Sequence, residues 1–360
     1  MRPTGRLHLG HYWGALKNWI ALVPDYECYY SVADWHMLTT GYDDTSRLRE
    51  YSREMVLDWL AVGLDPEKCV IFRQSDVPEH AELALLLGMV TPLSALFHNP
   101  TWKEQLVELA KTKRAGAKLE ALEQIAAPAN ATIKAKLLDM EKELLSELGT
   151  YGFLGYPVLQ AADILLYRGE RVPVGQDQVP HIELSREIAR RFNSIYGEAF
   201  PEPQALLTPT PKVPGLDGRK MSKSYGNALE LYETQDSLKK KVMSMYTDPT
   251  KIKRDDPGHP EPCMENPPGC VAYALHKVYG TPEFAATRGN ECRAGQVGCV
   301  ACKKDLLSEL EPPFAKFREA RERYAADANL VETILEAGAR KARIVAQKTM
   351  ADVRRAMRLA

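Results

Sequence analysis

Two runs of the chain, ECYYSVAD (Glu27 to Asp34) and CVIFRQS (Cys69 to Ser75), are rich in β-branched and aromatic residues and end in polar ones. Such runs predict buried strands. Between them, SRLREYSREMVLDWLAVG spaces its apolar residues as a helix does and stops at Gly63. A third β-like run, RVPVG, ends at Gly175. Strand and helix in alternation predict an α/β domain built on a parallel sheet, and ligands of such sheets bind beyond the carboxyl ends of the strands. His36, Ser75, Asp76 and Asp177 stand at those ends.

The alternation runs to about residue 225. Within it, residues 101 to 150 read differently, as two helices rich in alanine, leucine and mixed charge, broken near Ala127-Pro128-Ala129-Asn130. This insert, about 103–149, is a solvated hairpin, a lid or a dimer contact. Beyond 226 the pattern is mostly helical apart from a Pro/Gly-rich cysteine segment. The predicted units are therefore 1–225, a helical unit 226–335, and a basic helix 336–360. From Arg340 onward the chain carries seven lysines and arginines (Arg340, Lys341, Arg343, Lys348, Arg354, Arg355, Arg358) against one acid, Asp352. That balance suits either a solvated face or a nucleic-acid backbone contact.

Composition narrows the class. Over 360 residues the formal net charge is −1, which argues against a protein that coats polyanions and leaves room for a local basic face. No apolar stretch approaches the ~18 residues of a membrane span, and no apolar region follows the basic start. No membrane is implied, and the expected location is cytoplasmic. Of seven cysteines, Cys28 and Cys69 sit singly in strand-like runs as small buried hydrophobes, while five fall between Cys263 and Cys302. In a reducing compartment such clustering suggests a metal site rather than disulfides. Cys270, Cys292, Cys299 and Cys302 are separated by 21, 6 and 2 residues, and four thiolates suit zinc or an iron–sulfur cluster.

The N-terminal stretch MRPTGRLHLGHYWG places His8 and His11 around Leu9 and Gly10, just ahead of a helix-like run. Glycine admits a nucleotide close to the backbone, and a helix start attracts phosphate; a capped helix start is the plainer reading. About 210 residues later PGLDGRKMSKS sets Lys220 and Lys223 in a Gly/Ser-rich loop, where two mobile ammonium groups can reach a polyphosphate. In this order the two motifs resemble the hallmarks of class I aminoacyl-tRNA synthetases. YPVLQAADILLYRGERVPVGQDQVPHIELSREIARRFN (Tyr156 to Asn193) resembles the amino-acid pocket and second nucleotide loop of the bacterial tryptophanyl-tRNA synthetases. VADWHMLTT, DWLAVGLDP, QSDVPEHAEL and GARKARIVAQKTMADVRRAM extend the resemblance over nearly the whole chain, excepting the insert and the cysteine region. Gln160 departs from the methionine common in that family, whereas tyrosyl-tRNA synthetases tend to have glutamine there.

The resemblance implies a Rossmann-like parallel-sheet catalytic domain (1–225) with a C-terminal α-helical tRNA-binding domain. It implies that the carboxylate of L-tryptophan attacks the α-phosphate of ATP, with Mg²⁺ on the nucleotide, and that the adenylate then acylates tRNA(Trp). His8, His11, Lys220 and Lys223 would handle the phosphates. Arg2, Pro3, Thr4, Gly10, Val213, Met221, Ser222 and Ser224 would line the ATP site, and Gly175, Gln176 and Asp177 would receive the ribose. Asp163 would accept the indole N–H. His36, Tyr156, Gln160, Ile164, Val172 and Val174 would complete the pocket, with Gln178 toward the substrate ammonium. A homodimer is implied. Some members bear a 4Fe-4S cluster on nearly the spacing of Cys270, Cys292, Cys299 and Cys302, with Cys263 left over; Arg288, Arg293, Lys303 and Lys304 would lie around it, toward an anticodon. Zinc remains the alternative.

Three other readings compete: a tyrosine-specific enzyme, a small nucleotidylyltransferase, and a synthetase-like regulator without activity. The family carries a short apolar strand ending in a Ser-Gly step ahead of its first motif, where this chain has only seven residues of turn-like composition before His8. The expectation is that part of that strand is missing from the chain as given, with loss of solubility or activity.

Overall fold

A computed structural model describes residues 1–98, 149–207 and 213–359. The helical pair expected over about 103–149 thus lies, but for Gly149, outside the described residues. The chain enters helix directly after His8. A short α1 (Leu9–His11) passes through a π-helical turn at Tyr12–Leu16 into α2 (Lys17–Leu22). β1 (Tyr29–Val32), α4 (Leu48–Ala61) and β2 (Val70–Arg73) follow as the hydrophobic pattern predicts, with an additional helix, α3 (Asp34–Gly41), between β1 and α4. α4 ends two residues short of Gly63, whose φ of 107° lets the chain turn away from the helix. α5 (Glu79–Val90) and α6 (Leu93–His98) come next, then α7 (Tyr151–Leu165), β3 (Arg171–Val174), α8 (Val179–Tyr196) and β4 (Gln204–Leu207). The remainder is helical: α9 (Gln235–Ser244), α10 (Val271–Tyr279), α11 (Pro282–Arg293), α12 (Cys299–Ala325) and α13 (Leu330–Ala356).

The strands are parallel, but among the described residues they form two pairs rather than one sheet: β1 with β2, and β3 with β4. Period-two alternation sends their side chains to two cores. Tyr30, Val32 and Ile71 face Met55 and Trp59 of α4, while Val70 and Phe72 face α5, α7, α8 and α13. Helices therefore cover both faces of the β1–β2 pair, the condition under which parallel strands are stable. Cys28 and Cys69 are buried at the strand starts, as small hydrophobes should be. Alongside β1, the amine of Met1 donates to the Ser31 carbonyl (2.6 Å) and its carbonyl accepts from Ala33 N–H (2.9 Å).

α13 gives the basic C-terminal segment an internal use. Its stripe of Val331, Leu335, Ala339, Ala342, Ala346, Met350 and Val353 is buried. It lies so close on β2 that a β-carbon at Gly338 would stand 1.8 Å from the Ile71 carbonyl oxygen, so only glycine fits there. Arg343 reaches Glu79 (3.5 Å), and Arg354 holds Glu82 of α5 through Nε (2.7 Å) and Nη2. Neither a purely solvated face nor a nucleic-acid contact describes these two arginines; they dock a helix. No helix among the described residues is long and apolar enough to cross a membrane.

Candidate active site

The two motifs meet through main-chain hydrogen bonds. Leu9 N–H donates to the Leu229 carbonyl (2.9 Å) and Leu231 N–H to the Leu7 carbonyl (2.8 Å), with His8 paired antiparallel to Glu230. This ladder fastens the strand that follows KMSKS to HLGH. Asp58 of α4 fixes the approach: its Oδ2 accepts from Leu7 N–H (2.6 Å) and its Oδ1 from Nε of Arg321 in α12 (2.7 Å). The π-helical turn after HLGH is pinned to the helical unit, with Trp13 Nε1 donating to the Tyr279 hydroxyl (3.1 Å) and Tyr12 edge-on to Phe317.

Within HLGH each histidine serves as a local cap. His8 Nδ1 accepts from Gly10 N–H (3.1 Å), and His11 Nδ1 accepts from His8 N–H (3.3 Å). An imidazole that accepts at Nδ1 carries its remaining proton on Nε2. Both rings thus present Nε2–H donors, tilted by 31° with centroids 3.8 Å apart. Gly10 is required by this cap, because a β-carbon there would lie 2.9 Å from the His8 ring. Burial, with Lys223 adding to it, pushes His8 down to about 4; burial, His8 and Lys223 push His11 to about 3. Both are neutral donors at pH 7. Because folding lowers these values from 6.5, the folded chain binds fewer protons than the unfolded chain below that pH. Their contribution is intact above pH 6.5 and is lost as pH falls toward 4, about 2 kcal/mol for each imidazole by pH 5. Urea midpoints at pH 7 and pH 5 test this: His11→Asn should flatten the difference, and an unchanged difference refutes the assignment.

The lysines of the second motif differ. Lys220 is exposed; Lys223 is half-buried, in a 3-10 turn (Lys223–Tyr225) held by Ser222 N–H to Asn227 Oδ1 (2.8 Å). Its ammonium donates to the Thr4 carbonyl, to the Thr4 hydroxyl (3.2 Å) and to the Arg6 carbonyl (2.9 Å). Burial lowers its pKa, opposed by Glu230 and Asp58. Met221 is buried beneath Gly10, and Val213 packs at the edge of the same core. Residues 208–212, and the side chain of Ser224, lie outside what is described. Arg2 donates to Thr40 (2.5 Å), Pro3 is buried and Thr4 exposed.

The strand ends deliver the rest. After β3, Gly175, Gln176 and Asp177 are exposed; a β-carbon on Gly175 would meet Asp177 Oδ1 at 2.7 Å, and Gln178 donates to Asp177 (3.1 Å). Val172 and Val174 share one face of β3 by alternation. After β1, Asp34 accepts from Ser75 N–H (3.1 Å) and from the Ser75 hydroxyl, clamping two strand ends together. Asp76 pairs instead with Arg73 (3.2 Å). Asp163 is the hub. Its Oδ2 meets His36 Nε2 at 2.8 Å, and its Oδ1 meets His80 Nδ1 and Gln74 Nε2, both at 2.7 Å. Burial alone would raise its pKa, but hydrogen bonds from His36 and His80 hold the carboxyl well below the usual range. Tyr156 lies edge-on to His36 and is bonded through its hydroxyl to His181 Nε2 (2.9 Å). Gln160 and Ile164, half-buried, flank Asp163 on α7. Sequence reasoning missed Gln74, His80 and His181; only the position of Gln74 just after β2 pointed to the first.

A second centre gathers the cysteines. Cys270, Cys292, Cys299 and Cys302 line one small cavity together with Lys251 and Arg288, and Cys263 does not border it. Burial pushes the Cys270 thiol up to about 11 and Cys302 to about 12. Buried thiols so placed become thiolates only when a cation is supplied. Among the described residues no three of His, Cys, Asp and Glu stand close enough to grip a single ion. Of the basic residues expected around this centre, Lys303 is buried on the Met243 carbonyl (2.9 Å) and Arg288 is paired with Glu291 and Asp305. Arg293 is paired with Glu261. Lys303 is therefore a structural cation rather than one offered to nucleic acid.

Comparison with known proteins bears on the first of these centres. A family described as tRNA synthetases class I (W and Y) matches residues 1–315. A tryptophan–tRNA ligase of Aquifex aeolicus is 48% identical over 396 residues, covering 100% of this chain and 98% of its own. One from Thermotoga maritima is 47% identical over 361 residues, with 100% and 98% covered. Among solved structures, the tryptophanyl-tRNA synthetase of Campylobacter jejuni complexed with ADP and tryptophan superposes with a TM-score of 0.76. It shares 29% identity and covers 99% of this chain and 98% of that one.

Proposed function

The chain belongs to the class I tRNA synthetases of the tryptophan and tyrosine group and joins tryptophan to tRNA, and we propose that HLGH and KMSKS act on ATP while Asp163 selects the amino acid. What supports this most is the ladder between Leu7–Leu9 and Leu229–Leu231, which brings both motifs to one place. ATP enters as its magnesium complex. The tryptophan carboxylate is itself the nucleophile, so placement and charge stabilisation carry the first step. The Nε2–H groups of His8 and His11 donate to phosphate oxygens, beside the open backbone at Gly10. Lys223 leaves the Thr4 and Arg6 carbonyls for the β- and γ-phosphates, with Lys220 beside it, and pyrophosphate departs toward them. Arg2 to Thr4, Val213 and Met221 to Ser224 border this ATP site. Gly175 to Asp177 take the ribose. His36, Tyr156, Gln160, Ile164, Val172, Val174 and Gln178 surround the amino acid, whose indole N–H is accepted by Asp163. A pocket that hydrogen-bonds a substrate N–H rejects analogues lacking it strongly.

We further propose that residues 226–335 meet the anticodon and that Cys270, Cys292, Cys299 and Cys302 hold a 4Fe-4S cluster there. What supports a bound group there is that all four thiols line one cavity; four thiolates suit a cluster, with zinc as the alternative. When bound, such a cluster would cross-link α10, α11 and α12. Anaerobically purified protein should be brown with about four irons per chain; colourless protein with stoichiometric zinc refutes the cluster. A homodimer is proposed too, with the exposed Leu85 and Met89, one turn apart on α5, at its face. The activity is tested by pyrophosphate exchange into ATP, which tryptophan should support and tyrosine should not. Exchange with tyrosine instead moves the reading to the tyrosine enzymes, and exchange with neither removes it.

A further inference from the structure

A carboxylate offers roughly four acceptor positions, two on each oxygen. On Asp163, Oδ1 is filled by His80 Nδ1 and Gln74 Nε2, whereas Oδ2 receives one donor, His36 Nε2. The filled side is sealed. His80 and Gln74 are 0% exposed, while the side chains of Asp163 and His36 keep 17% and 10% exposure. Whatever reaches Asp163 from outside arrives on the Oδ2 side.

Neither sealed donor is there by default. The Gln74 amide could turn over only by setting its own oxygen against the carboxylate, so its Nε2 must face Asp163. That orientation leaves Gln74 Oε1 buried without a hydrogen-bond partner, an arrangement disfavoured unless the other end of the amide is needed. His80 is defined from behind. Facing a carboxylate, its Nδ1 must carry the proton, and in the neutral ring Nε2 then accepts from the Tyr167 hydroxyl at 2.7 Å. Tyr167 cannot drift, because its ring is stacked on Tyr29 at 4.8 Å and edge-on to Phe72 at 5.5 Å.

We propose that His80, with Tyr167 behind it, and Gln74 are positioning residues that saturate Oδ1 of Asp163, leaving one acceptor position on Oδ2 to choose side chains bearing a ring N–H. This rests on the reading of Asp163 as the indole acceptor. The carboxylate can then neither rotate nor take up a proton on its inner oxygen, and a ligand without an N–H leaves the outer position empty. Tyr167 never touches the ligand; it fixes which nitrogen of His80 holds the proton.

The test compares tryptophan with its analogue carrying a benzothiophene ring, in which sulfur replaces the ring N–H, by pyrophosphate exchange. His80→Leu should lower kcat/KM for tryptophan about ten-fold or more and leave that for the analogue nearly unchanged, with KM for ATP constant. His80→Asn, whose amide nitrogen lies near the place of Nδ1, should recover most of the preference. Tyr167→Phe should fall between His80→Leu and the unaltered protein. An unchanged preference in Tyr167→Phe and His80→Leu overturns the proposal, and so does an equal loss for both substrates. If His80→Leu does not fold, Tyr167→Phe and Gln74→Leu decide: a lowered preference in both supports the proposal, and a preference equal to that of the unaltered protein in both overturns it. Failure of the underlying reading looks different. In that case Asp163→Asn itself leaves the preference intact, or tryptophan supports no exchange at all.

Discussion

Asp163→Asn raises the KM for tryptophan well above ten-fold while the KM for ATP stays within about two-fold, because only one of the two substrates meets this carboxylate. The substitution keeps volume and removes charge, but the geometry makes it harsher than the loss of one contact. Three donors converge on Asp163: His36 at 2.8 Å, His80 at 2.7 Å and Gln74 at 2.7 Å. An asparagine in their place offers one oxygen and turns an NH₂ toward at least one donor. A hydrogen bond to a charged group is worth about 1.5–3 kcal/mol, so losing the indole contact alone predicts roughly 10- to 150-fold. Exchange assays varying each substrate in turn measure the split. If both KM values rise together, Asp163 only supports the fold.

Why this carboxylate was legible and its partners were not is a matter of distance along the chain. Asp163 stands out in QAADILLY because a charge among apolar residues needs a partner. Nothing local names that partner. His80 lies 83 residues away and Gln74 lies 89, the first inside a helix and the second at a strand end. The strands β1, β2 and β3 and the helix ending before Gly63 were readable from periodicity, since their patterns answer to local geometry. The division of the described strands into two parallel pairs was not, because strand pairing joins residues far apart along the chain. Charge counting at the C-terminus was blind for the same reason. Arg343 and Arg354 look like a basic face until Glu79 and Glu82 are placed opposite them. The cysteine spacing singled out four residues that line one cavity and could not say that Lys303 turns inward.

Lys223→Met lowers kcat for tryptophan-dependent exchange by about 10²–10³ and changes the KM for tryptophan little, the loss expected when one charge-stabilising donor is taken from a developing oxyanion. The ligand-free geometry explains why lysine suits this position. Its ammonium rests on the carbonyls of Thr4 and Arg6, within the segment that leads into HLGH, and its burial already lowers its pKa. Neutral carbonyls hold a cation less firmly than phosphates do, so bound ATP can draw the side chain across without rearranging the backbone. The same contact creates a second role, since removing the ammonium leaves those carbonyls without their donor and should loosen the N-terminal turn. The two effects separate in measurement. A structural role alone would lower the melting temperature and leave kcat intact. Lys223→Arg supplies the discriminating case: it keeps the charge but spreads it over a planar fork that matches a bidentate acceptor better than a moving point charge. Its kcat should therefore lie between those of Lys223→Met and the unaltered enzyme. A kcat in Lys223→Met equal to that of the unaltered enzyme would show that Lys223 is merely a clasp for the N-terminal turn.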